Sequence, residues 1–156
     1  MPFTFIKNLH RAVRNAKTYR VGLVQAKAYR FLKQHMSLLL LKHGITTIEW
    51  ALLGVLFDSL TGTRMNAVAT ELGVEVPFVT VMAKKLSRAG YIDTVIDARD
   101  ARAKLLTLSS KGRAFVEKNE RELRDDLRPL LKGVSIPDLM AYMKVLEKII
   151  ENATMV

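Results

Sequence analysis

The densest chemistry in the sequence is Asp97-Ala98-Arg99-Asp100-Ala101-Arg102, two carboxylates and two guanidiniums within six residues. Such a stretch either pairs internally as a solvated turn, worth little in stability, or carries arginines to an anion while Asp97 and Asp100 orient them by ion pairing. A second group of cations, Lys84, Lys85 and Arg88, follows the apolar segment Pro77-Phe78-Val79-Thr80-Val81. Covalent chemistry has no comparable candidate. The chain has no cysteine, which removes thiol nucleophiles, disulfides and thiolate zinc sites together. It has neither a glycine-rich phosphate loop nor a metalloprotease helix. His10, His35 and His43 lack paired-ligand spacing and read as surface or hydrogen-bonded residues, so no metal or other cofactor is expected. Asp97 and Asp100 read as belonging to an exposed turn, a poor place for burial to raise a carboxyl pKa. The chain does not read as an enzyme.

Charge distribution narrows the partner. Net charge is +10, and residues 1–48 hold nine Lys or Arg and no Asp or Glu. That asymmetry favours an anionic partner, nucleic acid first and a membrane surface second, with a merely solubilising surface as the alternative. No apolar run approaches the roughly eighteen residues of a membrane helix, and the start, MPFTFIKNLHRAVRN, lacks a signal-like apolar stretch. A cytoplasmic, nucleoid-associated protein with no stable membrane insertion is therefore expected. The 156 residues, 49% of them hydrophobic, suit a single folded domain.

The elements that must position these charges follow from periodicity and punctuation. Lys17 to Lys42 reads as a long helix stopped by Gly44; before it, Ile6, Leu9 and Val13 recur at helical spacing. Thr46-Thr47-Ile48-Glu49 has the form of a capping box opening a second helix to about Ser59. Thr63 can cap a third, short helix that ends at Gly73. Pro77 opens a fourth, closed by Gly90, in which Val79, Met82, Ala83 and Leu86 share the buried face. YIDTVI and AKLLTL then read as a hairpin around the charged turn. Ser109 or Ser110 caps the next helix, which stops near Pro129 to Gly133, and Ser135, with Asp138 at the third helical position, caps the last.

Two short helices joined at Gly73 suit a helix-turn-helix, whose second helix can enter a DNA major groove. A hairpin directly afterwards makes the layout a winged helix-turn-helix, with the charged turn as the wing. Residues 45–112 resemble the core of the MarR (multiple antibiotic resistance regulator) family. The strongest match is Gly90-Tyr91-Ile92, Asp100-x-Arg102 and Leu108-Ser109-x-x-Gly112, supported upstream by Leu72-Gly73, Val79-Thr80 and Leu86.

The resemblance implies a mainly α fold with a small β-hairpin wing, its winged helix-turn-helix core (45–112) flanked by dimerisation helices at 1–42 and 113–156. It implies a homodimeric repressor on a pseudo-palindromic operator in double-stranded DNA, open to control by a small-molecule effector. The DNA-binding residues would be Pro77, Phe78, Thr80, Val81, Lys84, Lys85 and Arg88 on the recognition helix and Arg99 and Arg102 on the wing, with Asp100 positioning Arg102. The chain departs from the family's pattern at Thr94, where an arginine is frequent, at Pro77, where a small hydroxyl residue is frequent, and at Phe78 and Val81, which stand at positions usually polar or basic. These two apolar groups could meet thymine methyls, meet protein, or in the case of Phe78 fold into the core.

Leu23, Phe31, Leu38, Leu127, Leu139, Tyr142, Leu146 and Ile149 exceed what a winged core can cover, so a two-fold interface or an intrachain helical core must bury them. Tyr19, His35, Trp50 and Phe57 are candidate lining for an effector pocket, although aromatics in helical register are more often core. The basic segment with Lys7, Arg11, Arg14, Lys17 and Arg20 could lie on DNA, brace a partner chain or touch membrane. The alternatives to a sequence-specific regulator are a winged-helix protein-interaction module and a sequence-indifferent architectural DNA-binding protein.

Overall fold

Three glycine-terminated helices set the frame. In the computed structural model, which describes residues 17–98 and 100–155 (of Thr18, Ala101 and Arg102 the backbone only), helix α1 (Thr18–Leu41) turns at Gly44 into α2 (Thr47–Asp58). A two-residue strand β1 (Thr63–Arg64) leads into α3 (Met65–Leu72), followed by α4 (Val76–Arg88). Strands β2 (Ile92–Asp97) and β3 (Asp100–Leu108) precede α5 (Ser110–Leu127), a 3-10 turn (Arg128–Leu131) and α6 (Ile136–Ala153). The N-terminal segment with Ile6, Lys7, Leu9, Arg11, Val13 and Arg14 lies outside the described residues, as does Arg99.

The described residues divide into two compact units, one ending at Val116 and the other beginning at Glu117. In the first, Leu52, Leu53 and Leu56 of α2, Val68 and Ala69 of α3, and Val79, Met82, Ala83 and Leu86 of α4 close a core with Ile92, Leu106 and Val116. The four α4 residues are those the spacing assigns to its inner face. Full burial of one such side chain is worth about 1.5–3 kcal/mol, so α4 is held by its packing. The turn between α3 and α4 is tight because Gly73 adopts φ +64°, where a side chain would be strained. Val74 N–H then reaches the Ala69 carbonyl (3.0 Å) and Gly73 N–H that of Thr70 (3.1 Å), closing a Schellman-type end.

The short third helix corrects the sequence reading. Thr63 does not cap it; the helix begins at Met65, with Arg64 before it making no side-chain cap. Thr63 and Arg64 are drawn out as β1, antiparallel to β3 with Thr63 opposite Leu106 and Arg64 opposite Leu105. The expected hairpin is therefore two-thirds of a three-stranded sheet of order β1-β3-β2. Along β2 and β3 the register runs regularly from Ile92 opposite Leu108 to Ile96 opposite Lys104, then shifts so that Asp97 faces Asp100.

The base of the hairpin is knotted to the helices on either side. Ser109 caps α5: its Oγ accepts the Gly112 N–H (2.9 Å), while its hydroxyl donates to the Gly90 carbonyl (2.7 Å) and its N–H to that of Tyr91 (3.0 Å). Gly112 is required there because a Cβ would fall on the Tyr91 carbonyl oxygen.

In the second unit Ser135 caps α6, accepting the Asp138 N–H at 3.2 Å, as the sequence indicates. None of the α6 residues is buried. Of the described α1 side chains only Leu40 is buried. Among the described residues no helix is long and apolar enough to cross a membrane.

Candidate nucleic-acid interface

The outer face of α4 follows from its inner one. With Val79, Met82, Ala83 and Leu86 turned into the core, Pro77, Phe78, Thr80, Val81, Lys84, Lys85 and Arg88 are left exposed. Phe78 is 47% and Val81 67% exposed, so Phe78 does not fold back into the core. The Thr80 hydroxyl lies 3.0 Å from both the Val76 carbonyl and Met65 Sδ. The C-terminal end of α4 is met by Lys111, whose Nζ donates to the Ala89 carbonyl (2.7 Å), where a cation complements the helix dipole.

Two neighbouring lysines have different surroundings. Lys84 makes no ion pair among the described residues, whereas Lys85 Nζ lies 2.8 Å from Glu49 Oε2 and 2.9 Å from the Gly44 carbonyl. Glu49 is 5% exposed. It completes the capping box, its Oε2 accepting the Thr46 N–H (2.8 Å) while Thr46 Oγ1 accepts the Glu49 N–H (3.3 Å). Burial pushes the Glu49 carboxyl up, but the hydrogen bonds from Lys85 and Thr46 outweigh it and hold the group below its ordinary value.

At the wing, Asp97 is not on an exposed turn. It is 9% exposed, and its Oδ2 accepts from Arg64 Nε (3.0 Å) and from a terminal guanidinium nitrogen (2.7 Å). The same guanidinium lies 3.6 Å from Asp100 Oδ2. The reason is β1, which pairs beside β3 and sets Arg64 against the start of the turn. These hydrogen bonds raise the Arg64 pKa further above its usual value. Both aspartates thus meet a cation that nothing near them in sequence announces. Arg102 stands on β3 with its side chain outside the described residues, and Thr94 is exposed on β2.

The candidate effector residues stand on two helices, Tyr19 and His35 on α1 and Trp50 and Phe57 on α2. Tyr19 is exposed, with Lys17 Nζ 5.9 Å from its ring centroid, and His35 is partly buried on α1. Trp50 and Phe57 pack against the core, Trp50 meeting Phe115 edge-on at 6.2 Å and Phe57 lying under the Arg113 guanidinium at 4.9 Å. An open groove of about 440 Å³ along α1 is lined by Arg30, Lys33, Gln34, Ser37, Leu38 and Leu41. His43 is not hydrogen-bonded at Nε2 among the described residues; its ring stands edge-on to Phe115 at 5.1 Å, a packing role.

Helix, tight turn, exposed second helix and an adjoining three-stranded sheet with a charged tip define a winged helix-turn-helix. Its particular form is the fold of the MarR-family transcriptional regulators. CouR from Rhodococcus jostii RHA1, solved bound to p-coumaroyl-CoA, superposes with TM-score 0.78 at 16% identity, over 86% of this chain and 94% of its own. AbsC, a MarR family transcriptional regulator from Streptomyces coelicolor, gives 0.78 at 18% identity, over 88% and 95%. In sequence, the transcriptional activatory protein BadR from Rhodopseudomonas palustris is 30% identical over 112 residues, 70% of this chain and 64% of BadR; the match thus spans less than two thirds of that relative. No family model matches the sequence.

Proposed function

We propose that the chain is a MarR-family regulator that binds a specific duplex as a homodimer, α4 entering the major groove and the hairpin tip reaching along the backbone or into the minor groove. The observation that carries this reading is the outer face of α4. Exposed apolar groups at Phe78 and Val81, beside Lys84 and Arg88, neither of which makes an ion pair among the described residues, join the two contact chemistries of a DNA reader, methyl contact at base edges and attraction to phosphate. Pro77 and Thr80 complete the face, with Arg99 and Arg102 as wing contacts beside Asp100.

Dimerisation is supported by the apolar surface left on α1 and on α6. On α1, Leu23, Phe31 and Leu38 are 57–65% exposed; on α6, Tyr142 and Ile149 are 47% and 55% exposed. A second copy would cover them, and a two-fold axis would present two recognition helices to half-sites one duplex turn apart. Occupying such an operator would exclude polymerase, the repressing mode; the name of BadR points to activation as the other. A small-molecule effector belongs to the same proposal, with Tyr19, His35, Trp50 and Phe57 as candidate contacts.

Selection of bound duplexes from a random pool by the purified protein tests the reading. A dyad-symmetric motif is expected; equal recovery of all sequences would point to an architectural protein, and recovery of none to a protein-interaction module. Arg102→Ala is expected to weaken binding to the selected duplex with the dimer intact, and unchanged affinity in a salt-controlled titration would remove Arg102 from the interface.

A further inference from the structure

Lys84 and Lys85 are adjacent cations on the exposed face of one helix, yet only Lys85 is tied to groups on other elements among the described residues. The Lys85 ammonium is engaged by Glu49 Oε2 and the Gly44 carbonyl, partners 36 and 41 residues away. Gly44 lies in the turn between α1 and α2, and Glu49 in the first turn of α2. Three short contacts therefore meet at this corner: ammonium to carboxylate, ammonium to carbonyl, and the Thr46 N–H to the same carboxylate oxygen. Withdrawing the ammonium would leave a buried carboxylate without its counter-charge, which is strongly unfavourable. The apolar contacts of α4 fix its depth in the core but are non-directional; a directional link at Lys85, two turns along from Val79, limits how the helix can roll and tilt over them.

We infer that Lys85 and Glu49 are a positioning pair that fixes the angle of the recognition helix against the α1–α2 corner, and that Lys85 is not a phosphate contact. The inference rests on the DNA-reading role proposed for α4. It separates two residues that charge alone makes equivalent: Lys84 adds to the attraction for any duplex, Lys85 to discrimination between duplexes. It also gives any rearrangement at the end of α1 a direct mechanical route to α4.

The test compares full-length wild type, Lys84→Met, Lys85→Met, Lys85→Arg and Glu49→Gln, titrated across a salt series against the selected duplex and a scrambled one. For Lys84→Met, the slope of log affinity against log salt should fall by about one per protomer, on both duplexes. For Lys85→Met, the slope should stay unchanged while affinity for the selected duplex falls about tenfold or more beyond the small weakening, equal on both duplexes, that loss of one positive charge produces. Lys85→Arg, able to keep the pair, should recover discrimination. Glu49→Gln should also lose discrimination, although removal of a negative charge would by electrostatics alone tighten binding to both duplexes.

A slope loss in Lys85→Met matching that of Lys84→Met overturns the inference, as does a total weakening no greater on the selected duplex than on the scrambled one, which general destabilisation would produce. If Lys85→Met does not fold, Glu49→Gln and Lys85→Arg carry the same criteria. If wild type prefers no duplex, the proposed function fails separately; the pair is then judged by hydrogen exchange of the α4 amides, which Glu49→Gln should accelerate, and unchanged exchange overturns the positioning role.

Discussion

Replacing Gly112 by alanine sets two physical effects of opposite sign against each other. Gly112 occupies the first turn of α5, where alanine is favoured over glycine by about 1 kcal/mol on helix propensity. Propensity alone therefore predicts a more stable protein. Against it, the new Cβ would overlap the Tyr91 carbonyl oxygen, approach the Tyr91 carbonyl carbon to 2.9 Å and Leu108 Cδ2 to 3.2 Å. The carbonyl cannot simply swing away, because it accepts the Ser109 N–H at 3.0 Å. Relief requires the start of β2 and the first turn of α5 to separate. Overpacking of this kind costs typically 1–3 kcal/mol and more when backbone must move, and loss of the Ser109 hydrogen bond adds about 1 kcal/mol. Because backbone must move, the upper end of that range applies, and the balance is a destabilisation of about 3 kcal/mol. At this chain length that lowers Tm by about 6–12 °C. Urea and thermal unfolding, both at one fixed protomer concentration because association adds to apparent stability, would measure it. A variant as stable as wild type, or more so, would refute the close-approach argument and leave propensity as the larger effect.

Other expectations concern the interface and its support. The folded Glu49 carboxyl lies below its ordinary value of 4.5, so its stabilising contribution is present above that pH and fades as pH falls through the folded value; the stability gap between wild type and Glu49→Gln should be level at neutral pH and narrow below 4.5, and a gap that widens in acid would contradict the pairing. If Phe78 packs on thymine methyls, replacing the contacted thymines of the selected duplex by uracil should weaken wild type about fourfold per methyl, the equivalent of about 0.8 kcal/mol, and leave Phe78→Ala indifferent; equal sensitivity in both proteins would exclude that contact.

Much of the scaffold is written in local pattern. The Thr46-x-x-Glu49 box, the Ser135 cap and the four inward residues of α4 each depend on neighbours within one or two helical turns, so spacing alone exposes them. The sheet is different. Strand β1 is two residues long, too short for any periodicity, and exists because Thr63 and Arg64 find Leu106 and Leu105 some forty residues later. Arg64 escaped notice for the same cause: the turn at Asp97 to Arg102 balances its own charges on paper, so nothing there calls for a third arginine. Similarly, Lys84 and Lys85 are indistinguishable until Glu49 is brought across from α2. The apolar excess on α1 and α6 is legible as an excess, whereas the surface that covers it is not encoded in either helix by itself.

The Ser109 knot bears on how such a protein can change over time. Both feet of the hairpin, Gly90 and Tyr91 at one end and Ser109 to Gly112 at the other, are clamped in the same few hydrogen bonds. Length beyond the Arg64–Asp97 pair can therefore drift with little penalty to folding, whereas the Asp97 charge itself is held by Arg64. Reach toward a new target and thermodynamic soundness are separately adjustable, and a lineage could retune the former by small insertions near Ala98 while the latter stands still.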